Sequence, residues 1–263
     1  MKILFTSDLH LNRMCFEEEM QALERGLADH NPDALVISGD VSDMPGRNTF
    51  LFFGKIDLPV VFCLGNHEFA GMTVGQTHEK YRSWKSEAAG KCVTNAHCLD
   101  IDGHFDTQGV RFYGNVLWYD GTLYNGGPAK PLLDRIDTGW LDSTIVGFKP
   151  VEENARCVEQ IKEAQRTAGR RRLVLVTHCV PLRKLNLFDE DTPLSIPNCY
   201  SGVHDLFQQG VRPDVALCGH THRRTQCEYH YRKYGVEKDI MCLNSGNDYF
   251  FHTGRLVFDE VEI

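Results

Sequence analysis

The chain runs to 263 residues, 42% of them hydrophobic and 24% charged, with 28 Lys and Arg against 36 Asp and Glu for a formal charge of −8. Such a chain can bury a substantial core without covalent staples, as one large domain or two small ones. No apolar run reaches the about 18 residues of a membrane span, and Asp8 interrupts what would be a signal peptide's apolar stretch, so a cytoplasmic protein with no membrane partner is expected.

In chain order, apolar runs rich in Val, Ile and Leu predict strands at Lys2 to Ser7, Ala34 to Ser38, Val60 to Leu64, Leu173 to Thr177 and Val215 to Cys218. They do not alternate with polar residues, which is the signature of strands covered on both faces. Helical spacing appears between them, in Phe16, Met20, Leu23 and Leu27, and in Val151, Ala155, Val158 and Ile161. Val203, Leu206 and Phe207 before Gly210 read as a further helix closed by a glycine. Residues 101 to 150, rich in Gly, Asp and aromatics, predict a strand from Gly109 to Trp118 within a long functional loop region. The last forty residues, with β-type runs at Arg223 to His230, Asp239 to Leu243 and Arg255 to Phe258, predict a second, mostly antiparallel sheet. The alternation of strand and helix is that of a layered α/β fold in one domain over residues 1–263.

The ten cysteines include several inside apolar runs and form no Cys-x-x-Cys pair, so they read as reduced packing residues. The histidines are more telling. Each of the five buried strands ends in a polar cluster: Asp8-Leu9-His10, Gly39-Asp40, Gly65-Asn66-His67, His178, and Gly219-His220-Thr221-His222. Beyond the carboxyl ends of α/β strands, residues distant in sequence converge. The i, i+2 spacing of Asp8 with His10 and of His220 with His222 sets each pair on one side of an extended segment. Oxygen and nitrogen donors without thiolate suit Zn, Mn, Fe or Co. Seven such donors exceed one four-coordinate ion, and two ions sharing a carboxylate account for them. The glycines before Asp40, Asn66 and His220 are read as sharp turns leaving the strands.

Asp-x-His, Gly-Asp, Gly-Asn-His-Glu, a lone His and Gly-His-Thr-His, in this order over residues 8–222, resemble the calcineurin-like metallophosphoesterase superfamily. The resemblance implies a four-layer αββα sandwich, two central mixed β-sheets flanked by helices, with a dinuclear metal centre. Asp8, His10, Asp40 and His222 would hold one ion; Asp40, Asn66, His178 and His220 would hold the other, with Asp40 as the bridge. His67 would be the catalytic histidine. Met44 follows Asp43 where protein phosphatases of the superfamily carry Arg, and the Gly-Asn-His-Glu and Gly-His-Thr-His blocks are similar to its phosphodiesterase-type branch. The expectation is a phosphodiesterase that cleaves a small-molecule or nucleotide substrate by in-line attack of a hydroxide bridging two divalent ions. A DNA or RNA nuclease is the alternative, and a non-catalytic scaffold the reading from a different class.

Other residues have blander readings beside the functional one. Cys179 reads as a small packing residue rather than a nucleophile, and Glu68 as either a partner to a ligand or a helix-start acid. The runs Arg170 to Arg172 and Arg223 to Arg224 read as solvated charge, since a chain at −8 has no broad basic face for nucleic acid. Trp118 and Tyr119 read as core packing or as stacking platforms, and His104 as the unassigned histidine to test for substrate contact.

Overall fold

The five apolar runs form strands because each feeds two different cores, one from each face. The computed structural model describes residues 1–11, 16–42, 52–90, 94–123, 133, 139–186, 199–233, 236–247 and 253–263. Strands β1 (Lys2–Thr6), β2 (Ala34–Ser38), β3 (Val60–Cys63), β4 (Ala96–Cys98) and β11 (Asp259–Glu262) form a five-stranded sheet in the order β11-β1-β2-β3-β4. Strands β5 (His104–Thr107), β6 (Val110–Asn115), β7 (Arg172–Thr177), β8 (Val215–Cys218), β9 (Thr225–Lys233) and β10 (Val236–Asn244) form a six-stranded sheet in the order β5-β6-β7-β8-β10-β9. Each is parallel at its centre with antiparallel strands at its margins, β11 on β1 in the first, β5 on β6 and β9 on β10 in the second.

Between the sheets, Ile3, Phe5, Val36 and Val61 of the first pack with Phe112, Val174, Val176 and Leu217 of the second. On the far side of the first sheet, Leu4, Leu35, Ile37 and Phe62 pack with Met20 and Leu23 of helix α1 (Phe16–His30) and with Tyr81, Trp84 and Ala88 of α2 (Val74–Gly90). On the far side of the second, Tyr113, Leu175 and Ala216 meet Val158, Ile161 and Ala164 of α4 (Pro150–Arg166), a helix that starts on proline where no N–H is needed. The result is the expected αββα sandwich, and it explains the absence of alternation: beyond the first one or two residues of β1 and β7, every position on β1, β2, β3, β7 and β8 is buried.

Three expectations are corrected. The last forty residues do not make a sheet of their own. The β9–β10 hairpin joins β8 in the second sheet, and the final strand is Asp259–Glu262, later than Arg255 to Phe258, paired to β1 of the first. Residues 203–210 form no α-helix but a 3₁₀ turn, Phe207–Gln209, because the preceding segment is drawn into bridges pairing Val180 with Gly202 and Leu182 with Asp205. In the region 101–150, whose residues 124–132 and 134–138 lie outside the described ones, β5 and a shorter β6 replace one long strand. Trp118 and Tyr119, 1% and 0% exposed, pack in the core and are closed to a substrate.

One side chain ties the two sheets just beneath their carboxyl edges. Asp100, in the short helix α3 (Leu99–Asp102), accepts the Leu64 N–H at the end of β3 at 2.7 Å and the Val116 N–H beyond β6 at 3.0 Å. Burial pushes its carboxyl from 3.8 up to about 6 although both N–H groups pull it down. A raised carboxyl favours the folded state most at low pH, and that contribution is lost as pH rises through about 6. Asp100→Asn keeps one acceptor and turns an N–H₂ toward the other amide, so it should cost about 1–3 kcal/mol of stability. Thermal melts should also show a shallower decline between pH 4 and 6.5 in the variant than in the parent, and equal melting curves would contradict the tie.

Candidate metal centre

All five polar clusters sit beyond the carboxyl ends of parallel strands, three from the first sheet and two from the second, where the two sheet edges meet. The chain reaches this arrangement through left-handed backbone. Among the described residues eight non-glycine residues have positive φ, and five of them are Asp8 (54°), His10 (49°), Asp40 (48°), His220 (71°) and His222 (52°). The i, i+2 pairs are therefore not extended, as their spacing suggests; each pair turns twice through the left-handed region, where Asp and His are more tolerated than most residues. The turns continue the sheet ladder: the N–H groups of Asp8, His10 and Leu11 donate to the carbonyls of Gly39, Asp40 and Val41 at 3.1, 2.9 and 2.9 Å.

The glycines act here mostly through space. Gly39 does need its positive φ of 77°, but Gly65 is extended at φ −109°. A Cβ on Gly65 would lie 2.0 Å from Asp40 Oδ1, and one on Gly219 would lie 2.7 Å from Asp8 Oδ2. Their role is to let carboxylates close on the backbone, which corrects the reading of them as turn formers.

Asp8, His10, Asp40 and His222 each offer one ligand atom, and the four atoms lie within 4.8 Å of one another. Asp40 faces both ways. Its Oδ2 is 3.7 Å from His10 Nε2 on one side and 3.5 Å from His178 Nε2 on the other, and its Oδ1 accepts the His67 N–H at 3.1 Å. Burial alone would raise this carboxyl, but His178, His67, His10 and His220 together outweigh it and hold Asp40 below the ordinary carboxylate range.

A second group of donors is defined by its hydrogen bonds. His178 Nδ1 donates to the Ser38 carbonyl at 2.9 Å, and His220 Nε2 donates to the Tyr200 carbonyl at 2.8 Å. The other nitrogens of these rings, His178 Nε2 and His220 Nδ1, then point at one another 3.1 Å apart, with Asn66 Oδ1 3.0 Å from His178 Nε2. With the opposite nitrogen of each ring donating to a carbonyl, these three atoms are the ones turned toward a common point. Burial, with His178 adding to it, pushes His220 down to about 4, so the ring is neutral at physiological pH. Two ring nitrogens and an amide oxygen that converge in this way make a donor set suited to a divalent cation. The residues present thus fit two metal positions that share Asp40.

His67 lies at the open side, with 16% of its side chain exposed against 2% for Asp40. Its ring meets that of His10 edge-on at 4.5 Å, and Nε2 is 3.9 Å from Asp40 Oδ2. His104 is elsewhere, exposed on β5 beside a cleft of about 800 Å³ lined by Arg82 and Glu159, and does not join the cluster. Cys179 is fully buried, and burial pushes its thiol far up, so it is a packing residue. The eight described cysteines are all free thiols; Cys15 and Cys92 lie outside the described residues.

Two functional partners owe their roles to the assembled fold. Glu68 accepts the Ser42 N–H at 3.0 Å and the Gly65 N–H at 2.6 Å, tying the loop after β2 to the loop after β3, so it holds backbone and does not touch a ligand ring. Asp142, 2% exposed, accepts the Asn66 Nδ2–H at 2.8 Å. No motif marks Asp142; only the closing of the chain brings it to residue 66.

A family model described as calcineurin-like phosphoesterase matches residues 1–224. The chain belongs to that family. It is a metal-dependent phosphoesterase, a hydrolase of phosphate esters. No curated protein matches it in sequence. Among solved structures it is similar to the phosphopantetheinyl hydrolase of Mycobacterium tuberculosis, at 16% identity and a TM-score of 0.63 over 97% of this chain and 95% of that one. It also matches a 5′-nucleotidase precursor from Thermus thermophilus, at 14% identity and a TM-score of 0.45 over 99% of this chain and 53% of that one. The first of these likenesses establishes the shared fold. No helix is long and apolar enough to cross a membrane among the described residues.

Gly65→Ala should displace the Asp40 carboxylate and lower divalent-metal content at least tenfold, measured by elemental analysis after dialysis. Gly75→Ala, where an added Cβ meets nothing within 4 Å, should leave metal content unchanged. Equal metal in both variants would contradict the close approach of Gly65 to Asp40.

Proposed function

We propose that the protein is a phosphodiesterase for a small-molecule or nucleotide substrate, with Asp8, His10, Asp40 and His222 holding one divalent ion, Asp40, Asn66, His178 and His220 holding a second, and His67 as the catalytic residue. The observation that carries this reading is the position of Asp40, whose single oxygen faces His10 and His178 at 3.7 and 3.5 Å and so belongs to both donor sets. Mn, Fe, Zn and Co are the metals this donor chemistry suits.

Two divalent ions at these positions would supply positive charge that binds phosphoryl oxygens and lowers the pKa of water toward about 7. The chain's own part is to fix that charge and aim it. Asp8 and Asp40 contribute two negative charges against four positive, which leaves the pocket attractive to an anion although the protein carries −8. His10, His178 and Asp40 are at most 2% exposed and define the closed floor of the site. His67 stands at its open side, where a phosphate ester must enter. Its backbone N–H is held by Asp40 Oδ1, so the imidazole is placed by the same carboxylate that joins the two donor sets. From there it can stabilise the phosphoryl oxygens or give its proton to the departing alkoxide, a contribution of about 10² to 10⁴ in rate. The Gly-Asn-His-Glu and Gly-His-Thr-His blocks support the diester preference.

The test is a panel with added Mn, Zn, Fe or Co: a chromogenic diester, the corresponding monoester, cyclic nucleotides, a phosphopantetheine ester and single-stranded DNA. The diester should be turned over faster than the monoester, and slower cleavage of every small diester than of DNA would favour a nuclease instead. His67→Ala should keep its metal and lose about 10² to 10⁴ in kcat, whereas Asp40→Ala should lose metal. A fully active His67→Ala enzyme would remove His67 from the chemistry, and no hydrolysis with any metal would leave a scaffold.

A further inference from the structure

We infer that Asp142 is a positioning residue for the second ion, acting through Asn66. This rests on the dinuclear reading above. A side-chain amide has nearly the same shape either way round, but only its oxygen can hold a cation; its N–H₂ repels one. Which end of Asn66 faces His178 and His220 is therefore the condition for a second site, and nothing within the cluster decides it, since ring nitrogens can accept from an N–H₂ as readily as they can flank a metal. Asp142 decides it. Both of its oxygens accept, Oδ2 from the Tyr119 hydroxyl and Oδ1 from the N–H₂ of Asn66 at 2.8 Å, which leaves Oδ1 of Asn66 pointing at the ring nitrogens, 3.0 Å from His178 Nε2.

Asp142 is itself held. Its Oδ2 accepts the Tyr119 hydroxyl at 2.9 Å, and Tyr119 is fully buried. The 3₁₀ turn that carries it, Leu141–Thr144, is docked on the segment following the 3₁₀ turn Asn66–Phe69: the Gly71 N–H donates to Thr144 Oγ1 at 3.2 Å, and the Val146 N–H donates to the Met72 carbonyl at 2.9 Å. The two turns thus meet as a unit, with the Asn66–Asp142 bond at its buried end. The carboxylate also polarises the amide, placing more negative charge on the oxygen offered to the ion. Outer partners of this kind typically alter metal affinity by about 10- to 100-fold. The region 101–150, which carries no motif, gains a role on this account.

The test is calorimetric titration of the metal-free protein with Mn²⁺, read beside the electron paramagnetic signal of a coupled Mn pair. Asp142→Asn keeps the shape but can donate, which frees the Asn66 amide to turn over. The first ion should bind as in the parent, the second about 10- to 100-fold more weakly, the coupled signal should appear only at high metal, and the melting temperature without metal should stay within a few degrees. Tyr119→Phe, which loosens Asp142 without removing it, should weaken the second ion less, and carries the test should Asp142→Asn not fold. Undiminished binding of both ions by the variants would overturn the inference while leaving the dinuclear centre intact, and equal weakening of both ions with a lowered melting temperature would reduce Asp142 to a structural residue. A parent protein that binds only one ion would overturn the dinuclear reading itself, and this role with it.

Discussion

The structure turns on one carboxylate. Asp40 leaves the central strand of the first sheet and sets a single oxygen between ring nitrogens supplied by both sheets, His10 from β1 and His178 from β7. Two sheets packed through an apolar interface have no reason of their own to hold a particular register at their edges. Here the edges are fixed by polar groups that reach across: Asp100 joins the ends of β3 and β6, His178 bonds the Ser38 carbonyl of β2, and the His220 N–H meets the carboxylate of Asp8 at 3.2 Å. The apolar layers set the distance between the sheets, and these bonds set the alignment on which the donor geometry depends.

The alignment has a cost in backbone strain. Five side chains of the cluster sit on left-handed residues, each unfavourable by about 1–3 kcal/mol, and two ring nitrogens and an amide oxygen crowd together at His178, His220 and Asn66. A chain selected for stability alone would not gather these features at one edge. They persist because the neighbouring structure over-determines them: the ladder bonds from Asp8, His10 and Leu11, the two N–H groups gripped by Glu68, and the amide held by Asp142. Cations bound at the edge would offset the mutual repulsion of the acceptors, so the folded state and the loaded site reinforce each other.

Much of this is legible from residues alone, and the reasons are physical. Strands buried on both faces leave continuous apolar runs, and a crevice at their carboxyl ends leaves polar punctuation, so β1, β2, β3, β7 and β8 and the donors after them stand out together. Helix α2 does not, because its buried face is narrow, Tyr81, Trp84 and Ala88 in an otherwise polar segment. Strands β4, β5 and β11 are only three or four residues long, and their pairing is a product of the assembled sheet. The turn at Val203 to Gly210 has helical spacing, yet backbone bridges to Val180 and Leu182 take precedence over it. Within the site, ligand types announce themselves by spacing, whereas Asp142 acts from 76 residues away and through one hydrogen bond. Glu68 is visible as a residue but not as a clasp, since its partners are backbone N–H groups that carry no sequence signal.

On the proposed reading Asp40 joins two metal positions. A crystal structure of the Mn²⁺-loaded protein, with the ions located by anomalous scattering, tests it most directly. Two peaks are expected about 3.5–4 Å apart, the first among Asp8, His10 and His222, the second among Asn66, His178 and His220, with Asp40 Oδ2 between them. A single peak, or two peaks with Asp40 bound to only one, would contradict it.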